Sequence, residues 1–286
     1  MRSDEAVRSE EAVRCSGLVR IHRSPTGEVH ALRGVDATFT RGSLTAVVGP
    51  SGSGKSTLLE VLALRERPSG GEVLLGGEPT SGLGAARLRL LRRTHVAWVP
   101  QRPTHGLYPH LSACDHLAEV AALRGGDLLD PLDALERVGL AARADARPGA
   151  LSGGEQQRLV VAMAVTGAPA VLVADEPTAE LDDDSAALVL AELERCARLG
   201  SCVVVSTHDP RVVAAADRVL LLRHGVLSSE QHQGRSEATS VIDSTGRVQL
   251  PPTVLDLFPS GRAVVRRTPG GTVELVPAEG GAREAD

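Results

Sequence analysis

The chain has 286 residues, 42% hydrophobic and 23% charged, enough apolar material for one sizeable core and a second small unit. A formal net charge of −5 gives no sign of the basic surface that a sequence-independent grip on nucleic acid calls for. Cys15, Cys114, Cys196 and Cys202 show no C-x-x-C spacing and no histidine at ligand distance from a cysteine pair, so they read as reduced thiols rather than a zinc site or a disulfide framework.

The N-terminus is charged throughout, which is not the pattern of a signal peptide. Residues 1–15 read as a tail. Arg20–Arg41 and Gly70–Leu75 read as antiparallel strands joined by Pro/Gly turns. Three apolar, β-branched runs read as buried parallel strands: 44–48, 170–174 and 201–205. Helical patterns cover Thr57–Arg65, Leu159–Val165 and Ser185–Arg198, so strand and helix alternate and the fold class is α/β. Residues of about 103–150 are mostly helical in pattern, and a helical subdomain is expected over about 103–165. Residues 229–240 are polar and read as a linker. Residues 241–277 then show a compact β-β-α-β-β pattern, with a final tail at 278–286. The longest charge-free apolar stretch, Leu159–Ala174, is shorter than the roughly 20 residues a membrane helix needs and is interrupted by Gly167 and Pro169. The expectation is a soluble chain whose membrane role, if it has one, runs through a partner.

Only one lysine, Lys55, stands among the 31 basic residues; every other one is arginine. It lies in Gly49-Pro-Ser-Gly-Ser-Gly-Lys-Ser56, which fits G-x-x-x-x-G-K-S/T between a strand and a helix. Gly49, Gly52 and Gly54 let the backbone wrap, so that the N–H groups from Ser51 to Thr57, Ser53 included, can converge on an anion at a helix start. Lys55, a compact point charge on a flexible stem, would reach the β- and γ-phosphates, and Ser56 would give its hydroxyl to Mg²⁺. Ala170-Val-Leu-Val-Ala-Asp-Glu176 is a hydrophobic strand ending in two acids. Buried carboxylates there are costly unless they serve a cation or a proton. Asp175 would hold Mg²⁺, directly or through water, and Glu176 would act on the attacking water.

Leu151-Ser-Gly-Gly-Glu-Gln-Gln-Arg158 adds a second anion-ready helix start: Ser152 is a good N-cap, Glu155 three residues on completes a capping box, and Gly153 and Gly154 leave the turn bare. This run resembles the signature sequence of the ABC family residue for residue. The resemblance spans about residues 16–228 and implies a P-loop ATPase domain with a parallel-sheet core, an antiparallel β subdomain and a helical subdomain. It implies an ATPase that binds ATP and Mg²⁺ and forms a homodimer, in which Ser152–Glu155 serve the nucleotide of the second copy, with a transmembrane permease as partner on the cytoplasmic face of the membrane. Gln101 in Val99-Pro-Gln-Arg matches the Q-loop glutamine that senses Mg²⁺, Ala179-Glu-Leu-Asp182 the loop that crosses the dimer interface, and His208 in Ser206-Thr-His-Asp-Pro the switch histidine at the γ-phosphate. His22 falls where the family has an aromatic stacked on adenine.

Ala31-Leu-Arg-Gly-Val-Asp, Leu58-Leu59 after the glycine loop, Leu107-Tyr-Pro-His-Leu-Ser and Ala174-Asp-Glu-Pro-Thr look most like the lipoprotein-release, macrolide-export and cell-division group, hence an exporter. Met163 and Pro100 depart from the family pattern without removing a catalytic group. A non-transport ABC ATPase acting as a regulatory or mechanical signalling subunit is the second reading. A P-loop kinase would leave Leu151–Arg158 unexplained. Residues 241–277 weakly resemble the swapped-hairpin fold of the transition-state-regulator type, through Asp243-Ser-Thr-Gly-Arg-Val-Gln-Leu-Pro-Pro. Dimerisation or regulation, a structural appendage, and DNA binding by Arg262, Arg266 and Arg267 stay open for it.

Overall fold

The computed structural model describes residues 10–25, 27–124, 130–234, 239–243, 246–250, 252–268 and 270–278. Its centre is a seven-stranded sheet in the order β11-β10-β9-β3-β8-β7-β6. The strands are β3 (Ser43–Val48), β6 (Val96–Val99), β7 (Val171–Asp175), β8 (Cys202–Ser206), β9 (Arg218–Arg223), β10 (Val226–His232) and β11 (Thr239–Ser240). From β9 to β6 all neighbours are parallel; β10 and β11 add antiparallel pairs at one edge. A second, four-stranded antiparallel sheet has the order β2-β1-β4-β5, built from β1 (Glu11–Ser24), β2 (Gly27–Thr40), β4 (Gly70–Leu75) and β5 (Glu78–Pro79).

Both faces of the parallel strands are covered, which is why their sequences are continuously apolar rather than alternating. Leu172, Ala174, Val203 and Val205 point into one core with α5 (Gly153–Val165), α6 (Asp183–Arg198) and the helical subdomain, through residues such as Leu117, Leu135, Leu159 and Leu193. Val171, Val173, Cys202 and Val204, the alternate set, point into a second core with α1 (Lys55–Leu62), α2 (Ala85–Thr94) and the antiparallel sheet, including Leu18, Phe39, Leu58 and Leu91. Burial in that second core pushes the Cys202 thiol up to about 12, which keeps it protonated and inert. The helical subdomain holds α3 (Ala113–Arg124), α4 (Pro131–Arg137) and three 3₁₀ turns before α5. Arg124, at the end of α3, donates to the carbonyls of Ala164 (2.8 Å) and Thr166 at the end of α5, tying the two helices together.

Several boundaries move relative to the sequence reading. Strand β1 begins at Glu11, inside the stretch read as a tail, because Glu11–Cys15 pair with Ala37–Thr40. The stretch read as a linker starts inside β10, and its last two residues form β11, paired to Ser229 and Glu230. In the tail module, the described residues of the first strand pair form the bridge Ile242↔Val248. Asp243 accepts there from the Arg247 N–H (2.9 Å) and Arg247 Nε (2.8 Å). The hairpin β12 (Ala263–Arg267) and β13 (Val273–Pro277) follows α8 (Pro252–Leu255), and Ala278 donates to the Arg262 carbonyl. Residues 1–9 and 279–286 lie outside the described residues. Among those described, no helix is long and apolar enough to cross a membrane.

Asp182 caps α6, with Ser185 N–H on Oδ1 (2.7 Å) and Ser185 Oγ on Oδ2 (3.0 Å). These bonds hold its carboxyl below the usual range. Asp182→Ala is therefore expected to lower the urea unfolding midpoint, and Asp182→Asn to leave it nearly unchanged; equal effects of the two would remove the capping role.

Candidate nucleotide site

Four neighbouring strands, β3, β8, β7 and β6, end side by side, and each is followed by a segment carrying predicted site residues. Such a strand-end edge is where open α/β sheets take ligands. A cleft of ≈ 710 Å³ opens there, lined by Ser51, Gly52, Gly54, Lys55, Ser56 and Thr57 after β3, Gln101 after β6, Asp175 and Glu176 at the end of β7, and His208 after β8. His22 and Val29, which pair across β1 and β2, form its far wall with His30 and Ala31.

The loop from Gly49 to Gly54 is shaped by glycine where nothing else fits. Gly49 has φ 152, and a Cβ there would meet the Leu222 carbonyl oxygen at 2.1 Å. Gly54, the N-cap of α1, has φ 104, and a Cβ would meet the Ala31 carbonyl at 2.4 Å. The first intrahelical bond of α1 runs from Leu58 N–H to Gly54 O (2.8 Å), so the N–H groups ahead of it have no acceptor within the helix. Lys55 is buried to 9% exposure, and its Nζ donates to the carbonyls of Gly49 (2.8 Å) and Pro50 (3.2 Å), curled along the loop it belongs to. Gly49 and Ser53 do not line the cleft. They stand behind the loop, where the Ser53 carbonyl accepts from Gly225 N–H (3.0 Å).

Asp175 is buried and accepts a hydrogen bond from Ser206 Oγ. Glu176 takes φ 48, in the left-handed region, and its N–H donates to the Ser206 carbonyl (3.0 Å). Its carboxylate meets His208 twice: the His208 N–H donates to Oε2 (3.2 Å), and the ring Nε2 lies 3.4 Å from Oε1. His22 Nε2 is 3.4 Å from Thr57 Oγ1. Thr178 and Asp209 also line the cleft; the sequence reading missed them together with Ser206, Val29 and His30. For Ser206 a signal was present: one small hydroxyl closing an otherwise aliphatic strand run.

Ser152, Gly153, Gly154, Glu155 and Asp182 are not in this cleft. Ser152 is exposed at the start of α5 and forms the expected capping box, with Ser152 N–H on Glu155 Oε2 (2.7 Å) and Glu155 N–H on Ser152 Oγ (3.2 Å). The bond from Ser152 N–H, aided by Arg143, holds the Glu155 carboxyl below its usual range. Gly153 and Gly154 line a neighbouring cleft of ≈ 630 Å³, which shares Gln101 and Ala179 with the first.

The model of the ABC transporter family matches residues 32–179. The lipoprotein-releasing system ATP-binding protein LolD of Paramagnetospirillum magneticum is 38% identical over 224 residues, covering 77% of this chain and 98% of that protein. The macrolide export ATP-binding/permease protein MacB of Chlorobium luteolum is 40% identical over 227 residues, 76% of this chain but 33% of that longer protein. Among solved structures, the dimeric ATP-binding cassette MJ0796 in a post-hydrolysis state with ADP and Pi superimposes with a TM-score of 0.70 at 29% identity, covering 77% of this chain and 98% of that one. The glycine-shaped loop, the strand-end acids and the capped second helix start thus occur in a chain that belongs to the ABC transporter family, as one of its ATP-binding, ATP-hydrolysing subunits.

Proposed function

We propose that this chain binds ATP with Mg²⁺, closes head to tail with a second copy around two nucleotides, and drives a separate permease as an exporter from the cytoplasmic face of the membrane. One observation carries the reading. The phosphate loop and the strand-end acids share one cleft, while a second capped, exposed helix start sits apart from it in another. A second anion-binding end is accounted for when it meets the phosphates of the other copy's nucleotide. LolD belongs by name to a lipoprotein-releasing system and MacB by name to macrolide export, which favours the export direction over the signalling alternative.

In this reading the start of α1 and Lys55 hold the phosphates, exchanging the ammonium's bonds to Gly49 and Pro50 for phosphate oxygens. His22, opposite Val29, lies against the base. The cleft presents Ser56 hydroxyl, Asp175 carboxylate and Gln101 amide, an all-oxygen donor set of the kind a hard divalent cation takes. These three would hold Mg²⁺, which when bound neutralises developing phosphate charge. Glu176 would accept the proton of the attacking water, and His208, which makes two contacts with Glu176, would meet the γ-phosphate. Loss of that phosphate removes contacts made by both copies. Swinging a two-state dimer from one extreme to the other takes about 5.5 kcal/mol, within reach of several charge-assisted bonds. We take the ATPase unit, expected over about 16–228, to run from β1 to the edge strand β11, and the module at 241–277 to serve dimerisation or regulation.

Mixing two dead variants tests the shared site. Lys55→Ala and Ser152→Arg are each expected to be inactive. Their mixture should regain hydrolysis, because a heterodimer keeps one complete site. A mixture as silent as its components would remove the head-to-tail arrangement.

A further inference from the structure

One hydroxyl stands between the two acids of the cleft. Ser206 ends β8, lies in register beside Asp175, and is fully buried. The run it closes is Cys202-Val-Val-Val-Ser206, a place where an aliphatic side chain would pack at no polar cost. A buried hydroxyl needs partners, and the partners here are the two acids. Ser206 Oγ donates to Asp175 Oδ1 and accepts from the Glu176 N–H (3.2 Å), while the Ser206 carbonyl takes the same N–H at 3.0 Å. Glu176 is at φ 48, a conformation that L residues other than glycine adopt only when their surroundings hold them there.

We propose that Ser206 is a positioning residue for both acids: its hydroxyl fixes which face Asp175 offers to the divalent cation and braces the turn that presents Glu176. This rests on the assignment of Asp175 to the cation and Glu176 to the water given above. The two effects separate. A variant without the hydroxyl still has the Ser206 carbonyl for Glu176 N–H, so the backbone turn survives. Asp175 loses its donor outright, and one carboxylate oxygen that was occupied becomes free to rotate toward the cation. The damage is therefore expected first in cation dependence and second in turnover. Loss of a donor behind a metal-binding carboxylate commonly weakens the metal by 10–100-fold.

The test uses the full chain with Ser206→Val, Ser206→Ala, Ser206→Thr and, as reference, Asp175→Asn. Mn²⁺ binding to the ATP-loaded protein is read by electron paramagnetic resonance, beside the Mg²⁺ titration of hydrolysis and ATP affinity in EDTA. Ser206→Val and Ser206→Ala are expected to weaken Mn²⁺ and raise half-saturating Mg²⁺ by about tenfold, with ATP affinity in EDTA unchanged. Ser206→Thr, which keeps the hydroxyl, is expected to restore both. Ser206→Ala decides the matter should the valine variant not fold. Wild-type Mn²⁺ binding by Ser206→Val and Ser206→Ala, alongside its loss in Asp175→Asn, overturns the proposal alone. Wild-type binding by Asp175→Asn overturns the assignment of Asp175, and the proposal falls with it.

Discussion

Glu176→Gln is expected to lower ATP turnover by about 10²–10⁴-fold, the range a positioned general base contributes, while ATP still binds and the protein accumulates as a dimer. The substitution is isosteric. Its amide oxygen can still accept from the His208 N–H, so the 3.2 Å contact that fixes the loop after β8 need not be lost. What disappears is the carboxylate assigned above to take a proton from water. Binding and closure depend on phosphate contacts elsewhere, at α1 and on the other copy, so they outlast the chemistry. Single-turnover hydrolysis and sedimentation with ATP check the two halves separately. Undiminished hydrolysis would take Glu176 out of its role, and a strictly monomeric ATP-loaded variant at high concentration would remove the dimer.

Gly49→Ala should be nearly as damaging, for a steric reason. The new methyl would lie 2.1 Å from the Leu222 carbonyl oxygen, closer than side-chain carbons approach backbone, and at φ 152 the backbone already disfavours one. The loop or strand β9 must move. Overpacking of this kind costs about 1–3 kcal/mol, and a displaced loop no longer aims its N–H groups, so ATP affinity is expected to fall by about tenfold or more. Gly52→Ala is the internal control. Gly52 is also left-handed, at φ 73, but a Cβ there meets no protein atom within 4 Å, so for folding only the conformational cost of about 1–2 kcal/mol applies. Urea unfolding distinguishes the two, and calorimetric ATP titration reads the loss of affinity in Gly49→Ala. Equal behaviour of both alanine variants would show that contact with β9 is not what shapes the loop.

The catalytic edge was legible because its signals are local. A glycine loop between strand and helix, two acids at a strand end, and Ser152 three residues before Glu155 are each written within a few positions, and the chain places them where those patterns require. Partners drawn from distant strands were not legible. Nothing near Gly49 announces Leu222, and nothing near Asp175 announces Ser206, since those neighbours are set by strand order rather than by spacing. The same limit explains the edges of the domain. Glu11–Cys15 look like a polar tail alone, and become a strand because Ala37–Thr40 offer a ladder. The polar stretch after β9 keeps its pairing through Ser229 and Glu230, although its composition matches a linker. In the first half of the tail module, read as a strand pair, the described residues show the Ile242↔Val248 bridge, with Arg247 donating twice to Asp243.

Gln101 and Ala179 each belong to the wall of both clefts. A partition common to two rooms cannot be moved for one tenant alone. A ligand that shifts either residue in the first hollow would reshape the second, and thermodynamic reciprocity would return that influence in equal measure. If each hollow meets a different nucleotide, the pair is built to keep count together, and saturation by ATP is an event of the assembly rather than of either half.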